Sequence, residues 1–249
     1  MARLDSLLVD FGLVDSRSKA QKLIKTGHVT VGGVVASKPA MNVDADAVIS
    51  VDKGDDYVSR GAYKLVGAFD VFAADGLPSP DGLHCLDIGA STGGFTQVLL
   101  RRGAAQVIAL DVGHDQLDPR VSDDPHVIRM DGVNIRDVSA DSLPYRPQMI
   151  VSDVSFISLT YVIPVIASIA APGAHIVLLV KPQFEVGREG LDRHGIVEDP
   201  ALREQALHKI TQCAAEHGLD VVATADSPIE GTHGNSEYLL YARNRISRG

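Results

Sequence analysis

The sequence predicts a small α+β domain followed by a larger α/β domain whose sheet has seven mostly parallel strands. Three observations predict this organisation. From about residue 57, short apolar runs alternate with helical patterns, as in βαβ units whose helices cover both faces of a sheet. Residues 1–54 contain two short helical patterns and then short strands around a Gly-Gly turn. Those residues carry seven Lys and Arg against six Asp, so a net charge of −9 for the chain leaves −10 on the remainder.

The N-terminal elements follow from helical spacing and from turn residues. A first helix is predicted from apolar residues three and four apart, and a second from its end signals, Ser16 as N-cap and Gly27 as the C-terminal glycine. The string VTVGGVV after them predicts a hairpin. The apolar residues of the first helix are Leu4, Leu7, Leu8 and Phe11.

The second helix carries a cluster of cations. Lys19, Lys22 and Lys25 share one helix face, and Arg17 precedes them. A solvated helix face explains most such runs. On an acidic chain, however, a clustered basic face favours contact with nucleic-acid phosphates, which position a protein without specifying sequence.

The larger domain is predicted strand by strand. Its strands are, in order, HCLDIG, AQVIALD, HVIRMD, PQMIVSD, AHIVLLVK, DVVATAD and SEYLLYAR. Helices are predicted at SRGAYKL, STGGFTQVLLRRG, FISLTYVIPVIASIA and ALREQALHKITQCAAEHG. Residues 159–180 contain no Lys, Arg, Asp or Glu and are long enough to cross a bilayer. Pro164 and Pro172-Gly173 interrupt them, which favours a helix, a turn and a buried strand.

Domain boundaries and compartment follow from the same patterns. We predict an N-terminal domain over residues 1–54, a linker over 55–60 and the larger domain over 61–249. Cys85 and Cys213 lie in apolar surroundings without metal-site spacing, which favours reduced core thiols, a cytoplasmic protein and no metal site. Acidic residues within the first apolar stretch argue against a secretory signal. The oligomeric state is left open.

Acidic residues fall at the ends of four predicted strands: Asp87, Asp111, Asp131 and Asp153. A lone carboxylate there is usually a loop cap. Because parallel strands end at one edge of a sheet, four carboxylates predict a polar ligand with several hydroxyl and amine groups. In the loop DIGASTGGF, glycines let backbone N–H groups approach a ligand at a helix N-terminus. They lack the G-x-G-x-x-G spacing of dinucleotide binders.

Lys181 ends the apolar strand in VLLVKPQFEVG. A cation at the end of a buried strand needs either an ionic partner or a functional role. An amine held between two carboxylates is fixed in direction. It can then bond a hydroxyl oxygen, and either stabilise the developing alkoxide or take its proton. Asp153 and Glu237 are the expected partners, and Lys64 is an expected second cation nearby. For each residue alone, a structural ion pair is the alternative.

Several resemblances assign these patterns. RLD followed by SR-xx-A-xx-LI-xx-G-xV-xV-xG, over residues 1 to about 50, resembles the S-four type RNA-binding domain. The Asp87-x-Gly89 loop, with Asp111 after the next strand, resembles the Rossmann-like S-adenosylmethionine-dependent methyltransferases. The order Lys64, Asp153, Lys181, Glu237 resembles ribose 2′-O-methyltransferases of the FtsJ type. The strings SRGAYKL, DIGASTGGFTQVLL, SDVSFISL, LVKPQFEVG and GNSEYLL together resemble the TlyA family, named both as haemolysins and as methyltransferases of ribosomal RNA cytidines.

The resemblance implies S-adenosyl-L-methionine as cofactor, ribosomal RNA or ribosomal subunits as partner, and no membrane. The implied catalytic residues are Lys64, Asp153, Lys181 and Glu237. The implied cofactor-binding residues are Asp87, Gly89, Ala90, Ser91, Gly93, Gly94, Asp111, Val112 and Asp131. The expected RNA-binding residues are Arg3, Arg17, Lys19, Lys22, Lys25, Arg188 and Arg193.

Two alternatives stay open. One is a membrane-lytic haemolysin, for which residues 159–180 are a poor candidate span. The other is a noncatalytic RNA-binding assembly factor, against which the four intact catalytic positions argue. SDVSF replaces the Asp/Asn-Pro-Pro-Tyr string of many base methyltransferases, so methylation of a base is disfavoured. Phe156 packs either near the cofactor or target base, or in the core.

Overall fold

The protein, described by a computed structural model, folds into two compact units, residues 1–56 and 57–249. The structure describes residues 2–25, 27–44, 47–51, 56–231 and 234–245. The predicted domain end at Gly54 lies outside these residues, and the linker over 55–60 stays a prediction.

The first unit has the two predicted helices and the predicted hairpin. In chain order its elements are β1 (Ala2–Arg3), α1 (Leu4–Asp10), α2 (Arg17–Lys25), β2 (Val29–Val31), β3 (Val34–Val35), β4 (Asn42–Val43) and β5 (Ile49–Val51). Gly32 and Gly33, with φ of +57° and +82°, form the two-residue turn between β2 and β3, a conformation that glycine adopts without strain. The helices pack through Leu4, Leu8 and Ile24, which are fully buried.

The second unit has the seven predicted strands. Its strands are β6 (His84–Ile88), β7 (Gln106–Asp111), β8 (Val127–Asp131), β9 (Met149–Ser152), β10 (His175–Val180), β11 (Leu219–Asp226) and β12 (Tyr238–Asn244). Its α-helices are α3 (Ala62–Val71), α4 (Gly94–Arg101), α5 (Pro119–Ser122), α6 (Ile163–Ile169) and α7 (Pro200–Glu216).

These strands form one mostly parallel sheet in the order β11-β12-β10-β9-β6-β7-β8. The strands β6 to β10 pair in parallel, while β12 is antiparallel to both of its neighbours, β10 and β11. Apolar clusters cover both faces, one containing Leu86 and Ile150, the other Met149 and Val177. The carboxyl ends of the central strands and the beginning of β12 therefore meet at one edge, where ligands of such sheets bind.

The segment after β9 differs from the prediction. A single helix over FISLTYVIPVIASIA was expected, but a 3₁₀ turn covers Leu159–Tyr161 and α6 begins only at Ile163. Pro164 fits the first turn of α6, where its missing N–H costs no hydrogen bond. The Pro172-Gly173 turn and the strand β10 follow as predicted. Within the described ranges, no helix combines the length and apolar character that a membrane crossing requires.

Candidate active site

The glycine loop between β6 and α4 approaches the segment after β9. Gly89 has φ of +82°, and a Cβ there would lie 3.2 Å from the carbonyl oxygen of Asp153. Gly93 has φ of +92°, and a Cβ there would lie 2.9 Å from Val121 Cγ1. Both positions therefore require glycine, which keeps the loop backbone exposed to a ligand at the edge of the sheet.

Asp111 fixes this loop through both carboxylate oxygens. Oδ2 accepts a hydrogen bond from the backbone N–H of Ser91 at 2.8 Å, and Oδ1 accepts one from Gly113 at 2.8 Å. Ser91 has φ of +47°, a conformation that non-glycine residues rarely adopt. Each carboxylate oxygen keeps a second lone pair, so Asp111 can also accept hydrogen bonds from ligand hydroxyls.

Two adjoining cavities open at this edge. The larger, about 850 Å³, is lined by four of the predicted cofactor residues, Gly89, Ser91, Asp111 and Val112. The catalytic candidate Asp153 also lines it. The smaller, about 210 Å³, is lined by Ala90, Gly94 and Lys181, and it shares Gly89, Ser91 and Asp153 with the larger. A cavity of this size with apolar walls and a few polar groups suits a nucleoside-sized ligand.

Three predicted cofactor residues, Asp87, Gly93 and Asp131, line neither cavity. Asp87 is fully buried, and its Oδ2 accepts a 2.7 Å hydrogen bond from Thr96 Oγ1. Burial raises the pKa of Asp87 to about 7, with the carboxylates of Asp153 and Asp111 adding to the rise and the Thr96 hydrogen bond opposing it. Asp87 Oδ1 accepts no hydrogen bond from any described residue.

Asp131 is held by other groups. It accepts hydrogen bonds from the guanidinium of Arg129 and from the backbone N–H of Asp115, and the Arg129 hydrogen bond lowers its pKa. Asn134, three residues further on, lines the larger cavity instead. In the sequence, Asn134 is marked by its position just after a strand end, a signal that favours the strand-end carboxylate Asp131 more strongly.

Lys181 lies at the edge of the sheet, directly after β10. Its Nζ is 2.7 Å from Asp153 Oδ1 and donates a 2.7 Å hydrogen bond to Ser155 Oγ. Leu178 pairs with Ser152 in the parallel β9–β10 ladder, so residues 181 and 155 lie equally far beyond that pair. The side chain of Lys181 is largely buried, which makes its polar partners energetically necessary.

Lys64 and Glu237 form the second ion pair, with 2.5 Å between Nζ and Oε2. The expectation that Glu237 pairs with Lys181 is therefore corrected. The register Val180–Tyr238 does bring Lys181 and Glu237 to the same end of adjacent strands. The buried amine of Lys64, on α3, neutralises the Glu237 carboxylate, so each lysine has its own carboxylate.

The loop after β9 presents an aromatic side chain beside the larger cavity. Phe156 has φ of +63°, and its side chain is 91% exposed. Its ring lies 5.1 Å from that of Phe184, and both line the larger cavity. A strained backbone that exposes a large aromatic ring is typical of a functional site.

Glu185 holds the same loop through hydrogen bonds. Its carboxylate accepts hydrogen bonds from Ser158 Oγ at 2.5 Å and from the backbone N–H of Leu159 at 2.8 Å. Lys209, on α7, donates to the Glu185 backbone carbonyl at 2.9 Å. Ser155, Phe184 and Glu185 were not predicted as site residues, because their roles depend on contacts between the segments after β9 and β10.

The basic face of the first unit is built around one buried carboxylate. Asp5 accepts hydrogen bonds from Arg3 Nε and Nη2 at 3.0 and 2.9 Å, from Arg17 Nη2 at 3.2 Å and from Gln21 Nε2 at 2.9 Å. The hydrogen bonds from Arg3 hold the pKa of Asp5 far below its usual range. The side chains of Arg3 and Arg17 remain about half exposed.

The other predicted RNA-binding residues are on the surface. Lys19 pairs with Asp15 and Asp56, each at 3.2 Å, whereas Lys22 and Lys25 are exposed on α2. Arg188 and Arg193 are exposed in the segment after β10, where Arg193 Nε donates to His194 Nε2. Their role in RNA binding stays a prediction.

Comparison with protein families divides the chain in the same way. The FtsJ-like methyltransferase family matches residues 57–244, and the S4 domain matches residues 2–49. The family match therefore includes both cavities and both lysine–carboxylate pairs.

Individual relatives match over nearly the whole chain. A protein of Mycobacterium tuberculosis strain H37Rv named 16S/23S rRNA (cytidine-2′-O)-methyltransferase TlyA is 43% identical over 249 residues, 99% of this chain and 91% of its own length. Hemolysin A of Brachyspira hyodysenteriae is 40% identical, over 96% of this chain and 98% of its own. A solved structure from Streptococcus thermophilus that carries a haemolysin name superposes with a TM-score of 0.74 at 37% identity, covering 98% of this chain and 88% of that one.

Proposed function

This chain belongs to the FtsJ-like methyltransferase family, and on that premise we propose that it transfers a methyl group to ribose 2′-hydroxyls of ribosomal RNA, with cytidine as the target nucleotide. The observation that carries the proposal is the presence of two buried lysines, each paired with a carboxylate, of which Lys181 and its partner Asp153 line the smaller cavity together with the glycine loop. Such an arrangement suits a hydroxyl nucleophile, which needs stabilisation of negative oxygen rather than a metal-bound water.

S-adenosyl-L-methionine is the proposed cofactor. The residues fit it: glycines leave room for close backbone approach, and Asp111 can accept hydrogen bonds from ribose hydroxyls. Gly89, Ala90, Ser91 and Gly94 would surround the methionine part, and Asp111, Val112 and Asn134 the adenosine part. Asp87 and Gly93, which line neither cavity, would stabilise the conformation of the glycine loop. When bound, the cofactor supplies a methyl group on a positively charged sulfur.

The chain's own residues then act on the ribose. Lys181, paired with Asp153, would donate a hydrogen bond to the 2′-oxygen and stabilise the negative charge that develops there, while the hydroxyl proton passes to water and the oxygen takes the methyl group. Lys64 and Glu237 form the second lysine–carboxylate pair, which would help to orient the sugar. Placing the oxygen in line with the methyl group supplies much of the rate. The exposed ring of Phe156 offers a stacking surface for the target base.

The first unit would supply RNA affinity. Since all of the excess negative charge falls on residues 55–249, attraction to phosphates has to come from local cations such as Arg3, Arg17, Lys22 and Lys25. Ribosomal RNA as substrate implies ribosomal subunits as the physical partner and the cytoplasm as the site of action. Residues 1–54 are proposed as the RNA-binding domain and 61–249 as the methyltransferase domain.

Radiolabelled cofactor provides the test. The protein is incubated with labelled S-adenosylmethionine and with ribosomal subunits or free ribosomal RNA that lack the modification, and the RNA is digested to nucleosides. We expect label in 2′-O-methylcytidine, and RNA carrying a 2′-deoxy nucleotide at the mapped position should accept none. Label in a base-methylated nucleoside, or no transfer to any subunit, would overturn the proposal.

A membrane-lytic activity is the second candidate, since relatives with haemolysin names are nearly as similar as the one with a methyltransferase name. The methyltransferase function is supported by the family match over residues 57–244, which does not depend on these names. Leakage of dye from liposomes caused by purified protein without cofactor would favour lysis. We expect no leakage, because the buried lysine–carboxylate pairs have no role in a lytic surface.

A further inference from the structure

Ser155 is in direct contact with the amine at the centre of the proposed chemistry. Its Oγ accepts a 2.7 Å hydrogen bond from Lys181 Nζ, and its side chain is exposed to both cavities. The position follows from strand register, because residues 155 and 181 each lie three residues beyond the paired Ser152 and Leu178.

The contact of Lys181 with Asp153 has a different geometry. Asp153 Oδ1 is 2.7 Å from the amine, but it accepts no hydrogen bond with acceptable angles from any described residue. The carboxylate thus attracts the ammonium without setting the direction of its N–H groups. Ser155 is the acceptor that sets one of these directions.

The backbone that follows Ser155 is held in place by local contacts. Phe156 has positive φ, and Ser158 and Leu159 are bonded to the buried carboxylate of Glu185. A hydroxyl on such a segment keeps its position when a flexible lysine side chain samples rotamers.

We propose that Ser155 is a positioning residue for the methyl transfer: by accepting one N–H of Lys181, it directs another N–H toward the ribose 2′-oxygen. The inference rests on the proposed function. An ammonium has three N–H groups, and a flexible four-carbon stem allows the amine many orientations. Orientation of the donor before the reaction is what makes it effective in the transition state.

The charges around Lys181 leave this role to Ser155. Asp153 follows β9, while Lys64 on α3 and Glu237 before β12 neutralise each other. The Asp153 carboxylate stays beside the amine whether or not the hydroxyl is present. Loss of the hydroxyl should therefore change the direction and reactivity of the amine and leave the fold intact.

Three variants separate the possible roles. Ser155→Ala removes the acceptor, Ser155→Thr retains it, and Ser168→Ala makes the same truncation on α6, where the hydroxyl only bonds the Val165 carbonyl. For Ser155→Ala, we expect kcat to fall about tenfold to a hundredfold, as for loss of a hydrogen bond to a charged group. KM for cofactor, the Kd for RNA and the melting temperature should match the wild type. Ser155→Thr should recover most of kcat.

A second measurement does not require methyl transfer. The protein is treated briefly with acetic anhydride, and acetylation of Lys181 is quantified by mass spectrometry. A hydrogen bond to an ammonium favours the charged, unreactive amine. Acetylation of Lys181 should therefore rise severalfold in Ser155→Ala and stay at the wild-type level in Ser155→Thr and Ser168→Ala.

The two measurements distinguish the failure of this inference from failure of the proposed function. If the wild type methylates RNA but Ser155→Ala has native kcat and native acetylation, the positioning role is overturned. A loss of kcat accompanied by a lower melting temperature or weaker cofactor binding also overturns it, because Ser155 would then be structural. If the wild type methylates no RNA, the proposed function fails, and acetylation alone decides whether Ser155 orients Lys181.

Discussion

In the first unit one buried carboxylate, Asp5, holds two arginine side chains that remain about half exposed, whereas in the second unit two lysines are themselves buried against carboxylates. An exposed cation keeps most of its hydration and can exchange water for a phosphate at little cost. A buried cation has lost that hydration and acts strongly on any charge that develops beside it. We therefore expect the first unit to bind RNA and the second to carry out the chemistry.

The largest expected effect comes from removing the buried amine. Lys181→Met should lower kcat about 10³-fold, because the developing oxygen charge loses its cationic donor. Lys25→Met, the same substitution on the exposed face of α2, should leave kcat within about twofold and raise KM for RNA only slightly. Steady-state kinetics with labelled cofactor measures both. Equal effects of the two substitutions on kcat would contradict the assignment of RNA binding to the first unit and chemistry to the second.

The two buried carboxylates should respond to pH in opposite directions. The folded state raises the pKa of Asp87 to about 7, against about 3.9 for an ordinary aspartate, so between these values it retains a proton that the unfolded chain has released. Asp87 should therefore reduce the free energy of unfolding by roughly 3 kcal/mol as pH rises from about 4 to 7. Asp5, whose pKa is lowered, stabilises the fold at neutral pH and loses its contribution only in strong acid.

Urea unfolding of the cofactor-free protein tests this. Asp87→Asn keeps an oxygen for the Thr96 hydroxyl but cannot ionise, so its stability should lack the decline between pH 4 and 7. Parallel pH curves for the wild type and Asp87→Asn would show that Asp87 is not protonated in the folded state.

The smallest effect is expected on the exposed face. Arg17→Gln combined with Lys25→Gln leaves the two-point contact between Arg3 and Asp5 intact. RNA affinity should fall about tenfold. The slope of log Kd against log salt should decrease by about two, because RNA binding with two fewer phosphate contacts releases fewer counterions. Filter binding at several salt concentrations measures both, with Arg245→Gln as a matched control. An unchanged salt slope would mean that this face does not contact RNA.

The local sequence patterns predicted the structural elements that depend on neighbouring residues. The seven strands follow from apolar runs, the Gly32-Gly33 turn from its flanking valines, and the glycine loop from backbone positions that no other residue tolerates. The prediction of one long helix after β9 was wrong, because Pro164 and the bonds to Glu185 hold residues 156–158 outside it.

Pairings between distant segments were not predictable in the same way. The contacts Lys64–Glu237 and Lys181–Ser155 depend on the register of β12 and β9 against β10, which the apolar pattern of each strand leaves undetermined. Asn134 was missed for a related reason: the carboxylate at the end of β8 is engaged by Arg129, and the cavity wall comes from the residues after it.

The position of β12 has a consequence for the synthesis of the protein. This strand lies between β10 and β11, and among the described residues β11 hydrogen-bonds to the sheet only through it. A nascent chain that has reached only about residue 230 thus possesses the glycine loop and Lys181, but it lacks Glu237 and has no partner strand for β11. Lys64 is synthesised before its partner, because the Glu237 carboxylate lies 173 residues later in the chain. A chain truncated before β12 should accordingly be a target for degradation, rather than a partly active enzyme.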